Sequence, residues 1–250
     1  MEKNFIKTIL CSTIIISALG WSIQVEAVEN TTKDFTEVTE QVITELTEEE
    51  RLAGEEKLKL AEEYVKNKSR LRGYGSVKTL SSYKAVVQQQ GNWCGPAAAY
   101  NATNGVRTQM AYAQDLLTNM YGDTPFPGTW ASVMNTDKPG NNYAAIWASS
   151  FSDWRSKLKD AIIYTIDKGY PVIADCRITT DKSTHLHPGY EYATNTYHYV
   201  AVLGYDDRPS VVPADVFIVD SNTHPNLPIA YWTTIDKLKE ATRELGIVDR

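Results

Sequence analysis

The chain has 250 residues and a mass of 28.0 kDa, enough for one domain of ordinary size with appendages, and 42% apolar content is sufficient to bury a core. A formal net charge of -6 and an isoelectric point near 5.3 argue against nucleic acid or an anionic membrane surface as partner. There is no P-loop, no glycine-rich dinucleotide fingerprint and no Cys-x-x-Cys pair, so no cofactor is expected.

Lys3 and Lys7 give the chain a basic start, Ile6 to Trp21 is mostly apolar, and Val25-Glu26-Ala27 offers small residues where a signal peptidase reads. Residues 1–27 are expected to be a signal peptide. The mature protein would then be secreted, extracellular or surface-associated, without stable membrane insertion. An uncleaved anchor is the competing reading, although the apolar run is short for a spanning helix. Cys11 lies inside that run, where lipid attachment is not expected. The remaining cysteines, Cys94 and Cys176, are too few for a disulfide-stapled fold.

Residues 28–73 are rich in Glu, Lys and Arg and lack Pro, Cys and Trp. Val38, Val42 and Leu46 lie four apart, and Leu60, Tyr64 and Leu71 continue a sparse stripe at helical spacing. Thr47-Glu48-Glu49-Glu50 resembles a capping box opening a second helix, which Gly73 ends. The segment reads either as a solvated helical arm or as a propeptide that inhibits by covering a cleft. Residues 74–250 form the main domain.

Within that domain Tyr83 to Val87 is expected to be a strand leading into Gln88-Gln89-Gln90-Gly91-Asn92-Trp93-Cys94-Gly95-Pro96-Ala97-Ala98-Ala99. Alanine favours helix and proline is tolerated only in a first turn, so Cys94 should sit at the start of a helix that runs to about Asn104 and closes at Gly105. A helix N-terminus stabilises a thiolate, and its free N–H groups can hold an oxyanion. Gln88 is placed to supply a second donor.

Further helices are expected at Thr108–Met120, Thr129–Asn135, Ser152–Lys168 and Thr234–Leu245, with 125–142 a surface stretch near the site. Strands are expected at Pro171–Ile178, Tyr197–Asp207 and Val216–Asn222. Cys176 shares a face with Val172 and Ala174 and reads as a buried packing thiol. Helices crowd the first half and strands the second, which gives an α+β domain.

Cysteine catalysis needs a base and a group that fixes it. His198 opens a strongly apolar strand, where a lone imidazole has no packing purpose, and Asp220 ends the next strand. A Cys94–Cys176 bridge would silence the nucleophile and is not expected. His185 and His187, with Asp181 and Glu191 nearby, raise a metal site, but no third ligand has convincing spacing, so none is expected.

Gln88, Asn92-Trp93-Cys94-Gly95-Pro96-Ala97, His198 to Asp206 and Val219-Asp220 together resemble the papain-like cysteine peptidases of bacteria, nearest to the group related to double-glycine leader peptidases of bacteriocin exporters. The likeness spans roughly residues 83 to 245. It implies a papain-like fold with the catalytic helix packed on an antiparallel sheet, Cys94 as nucleophile, His198 as base and acid, Asp220 as orienter and Gln88 as oxyanion donor. Gln89 and Gln90 are adjacent rivals to Gln88, and Asn222 is an alternative to Asp220. The insertion from Thr179 to Thr196 is unfamiliar and would cap the cleft. A secreted thiol hydrolase acting on a peptide or protein through an acyl-enzyme is the leading expectation. Acyl transfer of transglutaminase-like type, and a binding module without turnover, are the alternatives.

Overall fold

The computed structural model describes residues 38–72, 75–81, 83–138, 142–208 and 216–249. The expected signal peptide, with Cys11, lies outside them.

Helix α1, Glu48–Arg72, opens on a reciprocal cap. Thr47 N–H donates to Glu50 Oε2 at 2.8 Å, and Glu50 N–H donates to Thr47 Oγ1 at 3.2 Å. It is not a solvated spacer. Leu58 is buried in a core cluster, with Tyr64 and Val65 packed against it, and Ala61 has no exposure. Lys68 reaches the shielded Asp167 at 2.7 Å, where the hydroxyls of Tyr64 and Tyr205 also donate to the carboxylate. Burial would push the Asp167 carboxyl up, but Lys68 and the two phenols hold it below its ordinary value. Ahead of α1, residues 38–47 are extended rather than helical, because their backbone groups bond to the body of the domain instead of to each other.

The elements that follow are β1 (Val77–Thr79), α2 (Cys94–Thr103), α3 (Gln109–Asp115), α4 (Thr118–Tyr121), α5 (Trp130–Asp137), β2 (Ala144–Trp147), α6 (Trp154–Asp167), β3 (Val172–Thr179), β4 (Asn195–Asp206), β5 (Val216–Asp220), β6 (Ala230–Thr233), α7 (Ile235–Thr242) and β7 (Gly246–Asp249). The sheet runs β2-β7-β3-β4-β5-β6, with β1 on the far end of β4, and every pairing is antiparallel. This is the expected α+β architecture, and it fits a papain-like fold.

Alternation along the strands serves two cores. Val172, Ala174, Cys176, Val200 and Val202 meet α6, α7 and α1 on one face, while Ile173, Tyr199, Ala201 and Val248 meet α2, α3 and α5 on the other. Burial on both faces explains why β3 and β4 read as nearly continuous apolar runs.

Several local expectations are corrected. Tyr83 to Val87 pairs with no strand; the amide of Asn101 takes that place, accepting from Val86 N–H at 2.9 Å and donating to Val86 O at 3.0 Å. The helix expected over 108–120 breaks at Leu117, whose φ of 61° is left-handed, and Thr118 then meets Thr124 at 2.7 Å. Met120 is consequently 73% exposed. Residues 125–138 are not the surface stretch expected, since Phe126, Trp130 and Met134 have no exposure. Asp153, not Ser152, precedes the first turn of α6.

Candidate active site

Cys94 is the first residue of α2. Pro96 has no N–H, and Ala97 N–H already donates to the Trp93 carbonyl at 2.9 Å. The N–H groups of Cys94 and Gly95 have no intrahelical acceptor and lie at the positive end of the helix. Small residues bring this end close to its neighbours. A Cβ on Gly95 would stand 2.2 Å from Thr124 Oγ1, so only glycine fits there.

The sheet supplies the other groups. In the β4–β5 pairing Val200 stands opposite Asp220, which puts His198, two residues back on the same face, diagonal to that carboxylate. His198 Nε2 lies 2.7 Å from Asp220 Oδ1, and the Cys94 side chain is near enough to the same imidazole to act on its protonation. Burial would push His198 down, but the charge and hydrogen bond of Asp220, with a smaller contribution from Cys94, push it up to about 10. Both partners are almost sealed, Cys94 at 1% exposure and His198 at 3%.

Asp220 is wholly buried and fully bonded. Oδ1 also accepts the Asn222 N–H at 3.0 Å; Oδ2 accepts the hydroxyls of Tyr190 at 2.6 Å and Tyr231 at 2.7 Å. Desolvation opposes its charge, yet His198 and these donors hold its carboxyl below the ordinary value. Asn222 does not contact the imidazole: its side chain donates to Tyr192 and accepts from His224 N–H. The sequence pattern does not point to Tyr190 or Tyr231. One lies in the insertion and the other on a four-residue strand, and neither has a local pattern that points at Asp220.

Gln88 is buried beside the cysteine loop. Its backbone N–H donates to the Ser221 carbonyl at 2.8 Å, and Nε2 donates to the carbonyls of Gln90 at 3.0 Å and Gly91 at 2.6 Å. As it stands, the amide is engaged with the loop rather than free for an oxyanion. Gln89 N–H and Val87 O are instead held by the amide of Gln109, and Gln89 and Gln90 are exposed.

The insertion is more than a polar cap, since Leu186 and Tyr190 are buried within it. His185 is buried with Nε2 2.8 Å from the Thr179 carbonyl, and His187 Nδ1 accepts from Gly189 N–H. Asp181 caps the Lys182–Thr184 turn, and Glu191 pairs with Lys182. Among the described residues no group of three or more His, Cys, Asp and Glu is arranged to hold a metal ion. Cys94 and Cys176 are both free thiols; complete burial, first of all, pushes Cys176 well above its ordinary range.

A model of the family described as Peptidase_C39 like matches residues 80–241. No curated protein and no solved structure matches the chain.

Proposed function

This chain belongs to the C39-like peptidase family, and from that premise we propose that it is a cysteine peptidase working through Cys94, His198 and Asp220. The observation that carries the reading is the buried imidazole held between a carboxylate at one ring nitrogen and the helix-start thiol. A raised histidine favours an imidazolium beside a thiolate, the reactive form of such a pair.

The thiolate attacks a peptide carbonyl, forming a carbon–sulfur bond while the carbonyl oxygen takes the electron pair. The N–H groups of Cys94 and Gly95 are the donors for that oxygen, with the Gln88 amide joining once it leaves a loop carbonyl. Collapse expels the amine, which takes its proton from His198. Water then adds to the thioester, giving a proton to His198, and the carboxylic acid leaves as the thiolate is restored. Transfer of the acyl group to an amine instead of water is the second reading, favoured by how little of the site solvent reaches. With residues 1–27 as a signal peptide, the substrates would be peptides or proteins outside the cell.

The test is active-site labelling with a peptide bearing a thiol-directed electrophile. The native chain is expected to take up one label at Cys94, Cys94→Ala none, and His198→Ala far less. Equal labelling of native chain and Cys94→Ala rejects the assignment. Adding a competing amine during turnover separates hydrolysis from transfer.

A further inference from the structure

Residues 38–46 run as an extended segment past the residues on both sides of the site, with one isolated bridge between Ile43 and Phe126. Tyr197, immediately before His198, donates its N–H to the Val38 carbonyl at 2.8 Å, at a point where β5 does not yet pair with β4. Asn195 Nδ2 donates to the Thr39 carbonyl at 3.1 Å. Farther along, Phe126 N–H donates to Val42 O at 3.0 Å, Thr44 N–H donates to Phe126 O at 2.9 Å, and Gly128 N–H reaches Thr44 Oγ1 at 2.8 Å. Phe126 is two residues from Thr124, which abuts Gly95 beside the thiol. Main-chain bonding of this kind is how a sheet edge and a loop hold an added peptide strand, independent of its sequence.

Between these anchors Gln41 turns its side chain inward. Nε2 donates to Asp175 Oδ2 at 2.5 Å and to the Tyr199 hydroxyl at 3.1 Å, while the Thr124 and Val42 backbones counter the effect of burial on the neighbouring Asp123 carboxyl. Asp175 has no exposure and Asp123 only 6%. Among the described residues Asp175 Oδ1, Asp123 Oδ2 and Gln41 Oε1 are buried without a hydrogen-bond partner. The pocket offers acceptors where glutamine brings one acceptor too many. Burial, reinforced in Asp175 by the charge of Asp123, pushes both carboxyls up, Asp123 to about 7. A donor-only cationic side chain would bring a donor for Asp175 Oδ1 and a positive charge that favours the ionised carboxylates.

We propose that residues 38–46 occupy the groove that receives peptide substrates, and that the Asp175–Asp123 pocket selects a lysine or arginine side chain at the substrate position that Gln41 now fills. The proposal rests on the peptidase reading for its substrate class. In the resting chain the segment is a removable occupant, held by backbone bonding and by a poorly matched side chain, and a basic peptide displaces it.

The experiment uses the full chain and reads alkylation of Cys94 by iodoacetamide, which needs no turnover and so stands even if no peptide is hydrolysed. Gln41→Lys is expected to slow alkylation by about tenfold, the scale of a hydrogen bond to a charged group, and to raise the melting temperature. Gln41→Glu is expected to speed it by placing a third carboxylate in the pocket. Asp175→Asn is expected to abolish the difference between Lys and Gln at position 41, and Asp123→Asn to reduce it should Asp175→Asn not fold. Where turnover is measurable, the peptide Val-Thr-Glu-Lys-Val-Ile-Thr-Glu-Leu should compete better than the same peptide with Gln. Faster alkylation of Gln41→Lys, or equal rates in all three chains, overturns the proposal.

Discussion

The phenol of Tyr190 donates to Asp220 Oδ2 at 2.6 Å, joining the insertion between β3 and β4 to the carboxylate that holds His198. Tyr231 donates to the same oxygen from β6. An unpaired lone pair on a wholly buried carboxylate is costly, so the two phenols are positioning groups that keep Asp220 charged and fixed.

Removing one of them should therefore show first in stability. Tyr190→Phe is expected to lower unfolding free energy in urea by about 1.5–3 kcal/mol, the range for a hydrogen bond to a charged group. Tyr231→Phe should cost about as much, and the double variant more than the sum, because the second loss leaves Oδ2 bare. A stable double variant with unchanged labelling at Cys94 would show that the phenols only fill space.

The pH dependence follows from the same pair. His198, raised to about 10, adds stability that is full below its unfolded value near 6.5 and disappears as pH climbs through about 10. Asp220, lowered, adds stability present above about 3.8 and lost as pH falls through its folded value. The basic limb of kcat/KM should accordingly fall near pH 10, where the imidazolium is lost, rather than near 6.5. Asp220→Asn removes the charge that outweighs burial, so the limb should move down by several pH units. A limb that stays in place would mean another group holds the proton.

Gln88 is a sharper case, because its amide now braces the carbonyls of Gln90 and Gly91. If that amide turns to the oxyanion during reaction, Gln88→Ala should reduce kcat by about a hundredfold with KM little changed. A variant that loses thermal stability while keeping kcat would make Gln88 a loop brace alone.

Legibility from the residues followed the range of the interaction that decides each feature. The α2 start was written in adjacent residues, Cys94-Gly95-Pro96 and the alanines, and the Thr47–Glu50 cap in four. The strands β3, β4 and β5 announced themselves through apolar runs. The spacing of Val38, Val42 and Leu46 fits a helix, yet positions four apart also satisfy the period of a strand, and these three are half-buried along an extended segment. Only contacts with Tyr197 and Phe126 chose between the two.

The sequence by itself determined an α+β chain carrying a helix-start cysteine, a histidine opening a strand and a carboxylate ending the next, because each depends on neighbours within a turn or a strand's length. What tertiary structure decided was their convergence, the two phenols on Asp220, the burial of α1, and the seat of Gln41 on Asp175 and Tyr199. Gln41 and Asp175 are 134 residues apart in the chain. No local propensity records such a meeting; it exists only once β3 and β4 have paired and a face of the sheet is left for the strand to cross.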